Sequence, residues 1–409
     1  MSTSPAAEVR PLHILMLAPE PFFEPRGTPF SEYHRIKALV ELGHRVDLVT
    51  YPFGADVQLP NLRIIRAGKP PFLRGVRIGP SFGKLLLDAY LTVTALRQAR
   101  RERYDAIHSH EEAGLLGVWL ARRLGIPHLY DMHSSLPQQL TNFRFARSRV
   151  LRRIFEVMED RTVFGSQVVI TICQDLHDHV HAMGAGERSV LIENVMGGDV
   201  EDPPQLTAHA VRERWTIPSD APLVLYTGTF EPYQGLDLLF EAMGRVAARV
   251  PGVRLLVVGG RPEQVEAART RAVAAGAPAV FTGYQPARDI PAYVQAADLL
   301  ASPRTSGTNT PLKIYSYLRA GKPIVATDLL THRQVLDEEI ALLAKPEPEA
   351  FADAIARMLA EPALRERLGR AAAARAEHRY SRAAYVARTR DAFARLAASA
   401  RPLPAGARA

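Results

Sequence analysis

One cysteine, Cys173, stands alone in 409 residues, so no disulfide forms within the chain. A single thiol fits a reducing compartment. Aromatic residues are sparse at 7% of the sequence. Nowhere do eighteen apolar residues run together, which excludes a helical membrane span of the usual length. The opening "MSTSPAAEVRPLHILMLAPEP" carries only a short apolar run with Pro and Glu close behind it. That pattern reads as a buried first strand rather than a signal peptide. Also missing are a P-loop, a Gly-x-Ser-x-Gly elbow and an Asp-x-Asp pair for a divalent ion. The expectation is a soluble, cytoplasmic protein.

What is present is the composition of an ordinary globular chain, 47% hydrophobic and 23% charged, long enough for two substantial domains. The net charge of +8 is uneven. Arg63, Arg66, Lys69, Arg74, Arg77, Lys84, Arg97, Arg100, Arg101 and Arg103 follow one another with few acids between them. A second basic cluster, "FRFARSRVLRRIF", spans 143–155. Such faces suit phosphates, anionic lipid or nucleic acid, or they are simply solvated helix faces. Thin aromatic stacking and the absence of a recognition motif argue against nucleic acid. The segment "KPPFLRGVRIGPSFGKLLLDAYL" mixes bulky apolar residues with cations and suggests peripheral contact with an anionic membrane at its inner face.

Periodicity divides the chain into two copies of one idea. "LHILMLAP" (12–19) reads as a buried strand, followed by a loop with Gly27, a helix over 31–43 and the strand "RVDLVTY" (45–51). "PLVLYTG" (222–228) is again a strand, followed by a loop, a helix over 236–250 and the strand "RLLVVGG" (254–260). Strand, Gly-bearing loop, helix, strand is the opening of a doubly wound parallel sheet. The expected class is α/β, with two Rossmann-like domains facing across a ligand cleft. Residues 1–200 form the first and 201–385 the second. The polar stretch 196–210 reads as the linker, and a helix over 386–409 is expected to pack back on the first domain.

Helix starts offer unpaired N–H groups and so hold anions. Three loops fit that role: "EPRGTPFS" with Gly27 and Thr28, "TFEPYQG" after Gly228, and the run "SGTNT" before a helix. Thr310 reads as the N-cap of that last helix and Pro311 as its first residue, with Gly321 ending it after about three turns. The set suggests a diphosphate ligand; backbone need alone also places Gly at such turns.

The order of motifs resembles retaining glycosyltransferase family 4, of the GT-B fold, over nearly the whole chain. "RGTPFSEYHRIKALVELGHRVDLVTY", "ITICQDLHDHVHAMG" through "VLIENV", "YTGTFEPYQGLDLLFEAM", "FTGYQPARDIPAYVQAADLLASP" and "PLKIYSYLRAGKPIVATD" follow in that family's order. The resemblance implies transfer of a sugar from a nucleotide diphosphate donor with retention, by front-face attack and without a metal or other cofactor. The acceptor would be a glycan, a lipid-linked group or a small molecule. The family's paired glutamates are replaced here by Thr308 and Ser316, and its Arg/Lys clamp by Thr229 and Gln234.

Replacement charge is expected from Arg304, Lys313, Arg261 and Arg26, with Asn309, Thr310, Pro311 and Leu312 completing the polar lip. His133, after a strand, matches the family histidine near the reacting centre, with Asp131 as its orienting partner. Glu231 is a candidate sugar contact. Gly283, Tyr284 and Gln285 are expected at the base, with Tyr284 either stacking there or covering the core. "HSHEE" (108–112) and "HDHVH" (177–181) lack a third metal ligand nearby, and polar helix faces account for them. Two other readings stay open: a silent GT-B scaffold, and a nucleotide-sugar epimerase of the same shape.

Overall fold

The computed structural model describes residues 10–23, 27–73, 75, 82–137, 149–194 and 205–399. The chain forms two compact units, Met1–Asn194 with Ala383–Ala409, and Val195–Arg382. The divisions therefore fall at Asn194 and Arg382, against the expected 200 and 385.

In the first unit the strands are β1 (His13–Ala18), β2 (Arg45–Thr50), β3 (Leu62–Arg66), β4 (Ala106–His110), β5 (His128–Met132), β6 (Val168–Thr171) and β7 (Ser189–Leu191). They pair in parallel in the order β3-β2-β1-β4-β5-β6-β7. The helices are α1 (Gly27–Glu41), α2 (Phe82–Arg101), α3 (Gly114–Leu124), α4 (Arg149–Gly165) and α5 (Gln174–Ala182). Right-handed crossovers put α1, which leads leftward from β1, on one face and α2 to α5 on the other. Side-chain alternation agrees. Ile107 packs with Leu87 and Leu91 of α2 and Leu120 of α3. Its neighbour His108 faces the opposite way.

The second unit repeats the plan with β8 (Leu223–Thr227), β9 (Arg254–Val258), β10 (Ala279–Gly283), β11 (Leu299–Ser302), β12 (Ile324–Thr327) and β13 (Leu342–Ala344). Their order is β10-β9-β8-β11-β12-β13, again parallel. Its helices are α6 (Ala208–Arg214), α7 (Leu236–Arg249), α8 (Pro262–Ala274), α9 (Ile290–Ala296), α10 (Lys313–Arg319), α11 (Leu330–Arg333), α12 (Pro348–Ala360) and α13 (Pro362–Arg379). Apolar clusters line both faces of this sheet, one around Phe240 and Phe351, the other around Tyr293 and Tyr317.

The Ala- and Arg-rich stretch towards the C-terminus forms two helices, and the last begins at Arg382 rather than at the expected 386. α13 stops where Tyr380 turns into the core, its ring meeting Tyr315 edge-on at 5.1 Å. The last helix, α14 (Arg382–Ala398), belongs to the first unit, where Phe393 lies against the rings of His44 and His108. Of the expected linker, residues 196–204 lie outside the described residues and Ala208 onward is helical. Strand β3 and helix α4 had no counterpart in the periodicity reading. Arginines interrupt the apolar pattern in both, as in "LRIIR" and "RVLRRIF".

Candidate functional site

In the second unit the carboxyl ends of β8, β9 and β10 meet through glycine backbone. Gly228 N–H donates to Val258 O at 3.0 Å, and Gly259 N–H donates to Gly283 O at 2.9 Å. A Cβ on Gly259 would stand 2.0 Å from the Gly228 carbonyl oxygen, so only glycine allows this approach. Beside them, Tyr226 Oη donates to Thr229 O at 2.7 Å and lies 3.5 Å from Gln234 Oε1.

Lys313 reaches into this corner from the start of α10. Its Nζ lies 3.9 Å from the centroid of the Tyr226 ring and 3.3 Å from where a Cβ of Gly228 would be. Among the described residues the amine has no hydrogen-bond partner, and burial, with the charge of Arg304 adding to it, pushes its pKa well below that of an ordinary lysine. Arg304 donates from Nη1 to Asn309 O at 2.7 Å and to Thr331 Oγ1 at 3.0 Å, and its guanidinium lies over the Tyr233 ring. Burial lowers its pKa as well. Two basic side chains thus stand at the strand ends.

The expected capped helix at Thr310 is not there. α10 starts at Lys313 with seven residues, and its cap position, Leu312, makes no side-chain bond. The first turn is tight, closed by Ile314 N–H to Pro311 O at 2.9 Å and Tyr315 N–H to Leu312 O at 3.2 Å. Thr310 Oγ1 is buried without a partner. The run 305–310 is held by its own backbone: Thr305 N–H to Tyr233 O at 3.0 Å, Thr331 Oγ1 to Asn309 O, and Gln334 Nε2 to Thr308 O. The basic group offered here is the Lys313 amine rather than a capped helix end.

Among the other expected donor residues, Thr308 is exposed, Leu312 and Ser316 are half-buried, and Pro311 is buried. Tyr284 is 69% exposed, so it does not cover the core, and Gln285 Nε2 donates to Thr282 O at 3.0 Å. Arg261 turns to Glu263 at 2.7 Å and lies 3.9 Å from Glu231. Gly27 (φ +52) and Thr28 open α1 itself, four residues earlier than Ser31, and Arg26 lies outside the described residues.

In the first unit, strand alternation carries His108, His110 and Asp131 to one face, since His110 and Asp131 are register partners. The rings of His108 and His110 stack at 4.5 Å, and His110 Nδ1 is 3.0 Å from His133 Nε2. Asp131 Oδ2 accepts from Arg35 Nε at 3.0 Å, while Oδ1 is 3.5 Å from His133. Burial lowers His133 to about 4, so it is a neutral imidazole at pH 7. Burial works against ionised Asp131, yet Arg35 and then His133 hold it well below the usual carboxylate range. Glu32 lies 3.5 Å from His110; burial and then Glu20 drive its pKa far up. Glu111, raised by burial to about 8, accepts from Ser134 Oγ at 2.9 Å.

His133 is therefore 3% exposed and part of a buried column rather than an open side chain. The polar-helix explanation also fails for His108 and His110, which sit on a strand. A third ligand does exist: ligating atoms of His108, His110 and Asp131 lie within 4.8 Å of one another. Arg35 already places a cation on Asp131. His177 and His181 share a face of α5, with ring centroids 4.5 Å apart, and join no such group among the described residues. Sequence reasoning missed Tyr226, Arg35 and Glu32. The alternation in "HSH" was the readable signal for the column; nothing marked Arg35 or Tyr226.

Two doubly wound parallel sheets of Rossmann-like type are the units of a GT-B fold. The family described as "Glycosyl transferase 4-like domain" matches residues 33–194, and "Glycosyl transferases group 1" matches residues 208–375. The chain belongs to these group 4-type glycosyltransferases. It is 27% identical over 375 residues to the phosphatidyl-myo-inositol mannosyltransferase of Mycobacterium leprae, with 90% of this chain and 93% of that protein covered. It is 28% identical to the D-inositol 3-phosphate glycosyltransferase of Xylanimonas cellulosilytica, with 84% and 85% covered. In fold it is similar to the sucrose-phosphate synthase of Thermosynechococcus elongatus (TM-score 0.74, 22% identity, covering 94% and 99%). It is also similar to Anabaena HepE in complex with UDP and glucose (TM-score 0.72, 19% identity, covering 95% and 100%).

Proposed function

We propose that this glycosyltransferase takes its sugar from a nucleoside diphosphate donor and transfers it with retention to an acceptor hydroxyl. The observation that carries the reading is Lys313: a buried amine with no partner, beside the Gly228 backbone and near a second cation. Burial works against protonation of an unpaired amine, and a diphosphate beside it is the ligand that would favour the ammonium form. The relatives support this, since one is named a mannosyltransferase and HepE was solved with UDP.

In the reaction proposed, the bond from the anomeric carbon to the phosphate oxygen breaks. The acceptor oxygen bonds to the same face of that carbon, and its proton passes to the departing phosphate. Lys313 and Arg304 stabilise charge on the leaving group, and the Gly228 loop lets backbone approach it. No cofactor is required for this. His133 is the catalytic candidate of the first unit, acting as a neutral hydrogen-bonding group. Tyr284 and Gln285, with the Gly283 backbone, are the candidates for the base, and Thr308, Asn309 and Ser316 for sugar or ribose hydroxyls.

Thermal unfolding with UDP, GDP, ADP and dTDP in turn tests the donor. Saturation at about 100 times the dissociation constant adds roughly 2.7 kcal/mol. A shift of several degrees with one nucleotide names the donor class, and the matching sugar then tests transfer and anomeric configuration. A folded protein that no nucleotide shifts overturns the reading.

A further inference from the structure

The strand order of the first sheet reverses between β1 and β4. The connection from β1 runs through α1 to β2 on one side, and the connection from β4 runs through α3 to β5 on the other. Such a reversal opens a crevice at the carboxyl ends of the two strands, the place where doubly wound sheets bind ligands. Here both strands run out into acids. Glu20 follows β1, and Glu111 and Glu112 follow β4. All three are half-buried, so the crevice reaches solvent.

Further acids meet them. Glu32 of α1 is fully buried, and among the described residues no donor reaches either of its oxygens. Its carboxyl group lies at hydrogen-bond range of Glu20 and feels the charge of Glu111. Asp88 of α2 accepts from Tyr51, just past β2, and feels Glu112. Among the described residues the cation that meets this set is Lys84, already paired with Glu112. The acids repel one another. Burial, then Glu112 and Glu20, raises Glu111 to about 8, and burial, then Glu20, drives Glu32 up. Ser134, the residue after His133, donates to Glu111, so the set stands beside the catalytic candidate.

We propose that the crevice at the ends of β1 and β4 holds the acceptor, and that the acceptor carries a protonated amine. As an acceptor site it rests on the glycosyl-transfer reading above, for which it names the acceptor class. An ammonium group brings three N–H donors to Glu20 and Glu111 in charge-assisted hydrogen bonds. It also relieves the repulsion that otherwise favours the protonated carboxyls. A phosphate on the acceptor would meet like charge. A neutral polyol would gain hydrogen bonds and leave the repulsion in place. The hydroxyl that takes the sugar is a separate group of the acceptor. Glu20 and Glu111 recognise the amine and take no part in making the bond.

The test uses the full chain and matched probes: glucosamine and the 2-aminoethyl glycosides of glucose, mannose and galactose, their N-acetyl forms, and the sugar 6-phosphates. N-acetylation keeps most of the shape and removes the charge. Calorimetry is expected to show an amine bound about 10- to 100-fold more tightly than its N-acetyl form, the worth of a charge-assisted hydrogen bond. Heats in buffers of different protonation enthalpy are expected to show protons released, because the bound cation lowers the pKa of Glu111. Glu20→Gln and Glu111→Gln are each expected to cut the amine preference about tenfold or more. Urea unfolding checks each variant. Where one fails to fold, the wild-type chain with amine and N-acetyl probes still decides.

Equal affinity for amine and N-acetyl forms, tighter binding of the phosphates, or no binding of any amine at millimolar concentration overturns the proposal. Stabilisation by Mg2+ or Ca2+ with no preference for amines assigns the acids to a metal ion instead. Nucleotide shifts are read on the same sample. Loss of the amine preference while a nucleotide still shifts the midpoint removes this inference alone. Amine binding with no nucleotide shift keeps the amine site and removes the donor reading alone.

Discussion

Lys313 Nζ stands 3.9 Å from the centre of the Tyr226 ring and hydrogen-bonds to nothing. The ring's face is a weak substitute for a charged partner. Lys313→Met keeps the length and removes the amine, so the empty protein is expected to become more stable, by about 1–3 kcal/mol. Nucleotide affinity is expected to fall by about 10- to 100-fold, the worth of a charge-assisted hydrogen bond. Chemical unfolding and nucleotide titration read the two effects separately. A variant that loses stability while keeping its affinity would place Lys313 in the packing and outside the donor site.

Arg35 and Asp131 form an ion pair whose side chains are each 1% exposed. Arg35 Nη1 also donates to Thr389 Oγ1 at 2.9 Å, and its guanidinium covers the Tyr385 ring, so one side chain ties α14 to the sheet. Arg35→Met strands a buried carboxylate and is expected to cost about 3–5 kcal/mol. Thr389→Val removes one neutral acceptor and costs nearer 1 kcal/mol. Urea unfolding separates these; similar small losses from both would show that the pair adds little.

Gly235, at φ +74, precedes α7, and a Cβ there would fall 1.8 Å from the Pro303 carbonyl oxygen. Gly235→Ala therefore forces the Gly228–Gly235 loop away from the segment that carries Arg304. A loss of at least about 2 kcal/mol is expected, together with weaker nucleotide binding. Gly125, at φ +69, has nothing within 4 Å of its Cβ position. Its Ala variant bears only the left-handed backbone penalty, about 1 kcal/mol. Equal losses at the two sites would contradict the steric account.

Burial lowers His44, His133 and His332 to about 4 and His128 to about 3. Unfolded histidines titrate near 6.5, so below about that pH the unfolded chain takes up protons the folded chain refuses, and stability falls as pH drops toward 4. Asp88, raised by burial to about 6, and Glu111, raised to about 8, act in the opposite direction. Folding holds their protons, so their contribution is lost as pH rises through those values. With four histidines against two acids, the melting temperature is expected to rise from about pH 4 to a maximum near 6.5 and to ease off toward 8. A maximum near pH 4.5 would contradict the assignment of neutral buried histidines.

The strands that open each sheet were legible because a short apolar run followed by a glycine-bearing loop and a helical pattern leaves few alternatives, as at "LHILMLAP" and "PLVLYTG". The donor corner was legible in part. Gly228 and Gly283 mark strand ends by residue type, and Lys313 and Arg304 stood out as cations near a polar run. Their environment was not readable. That Lys313 lies over Tyr226 depends on strands β8 and β11 being neighbours across about 75 residues, which no local pattern encodes. The Thr310 cap was misjudged for a related reason. A good cap residue describes a preference, and the tertiary bonds to the Asn309 and Thr308 carbonyls overrode it.

By itself the sequence determined the class of fold, the parallel order of strand and helix in each half, and which residue types were on hand for an anionic ligand. It did so through periodicity and glycine placement, which act over a few residues at a time. Tertiary structure alone decided that Asp131 meets Arg35, that Arg35 ties α14 to the sheet through Thr389, and that exposed apolar side chains gather on one helical layer. Those outcomes follow from which strands lie side by side and which hand the crossovers take. The charge on His133 and Lys313 is set by burial, and burial exists only once the chain is folded.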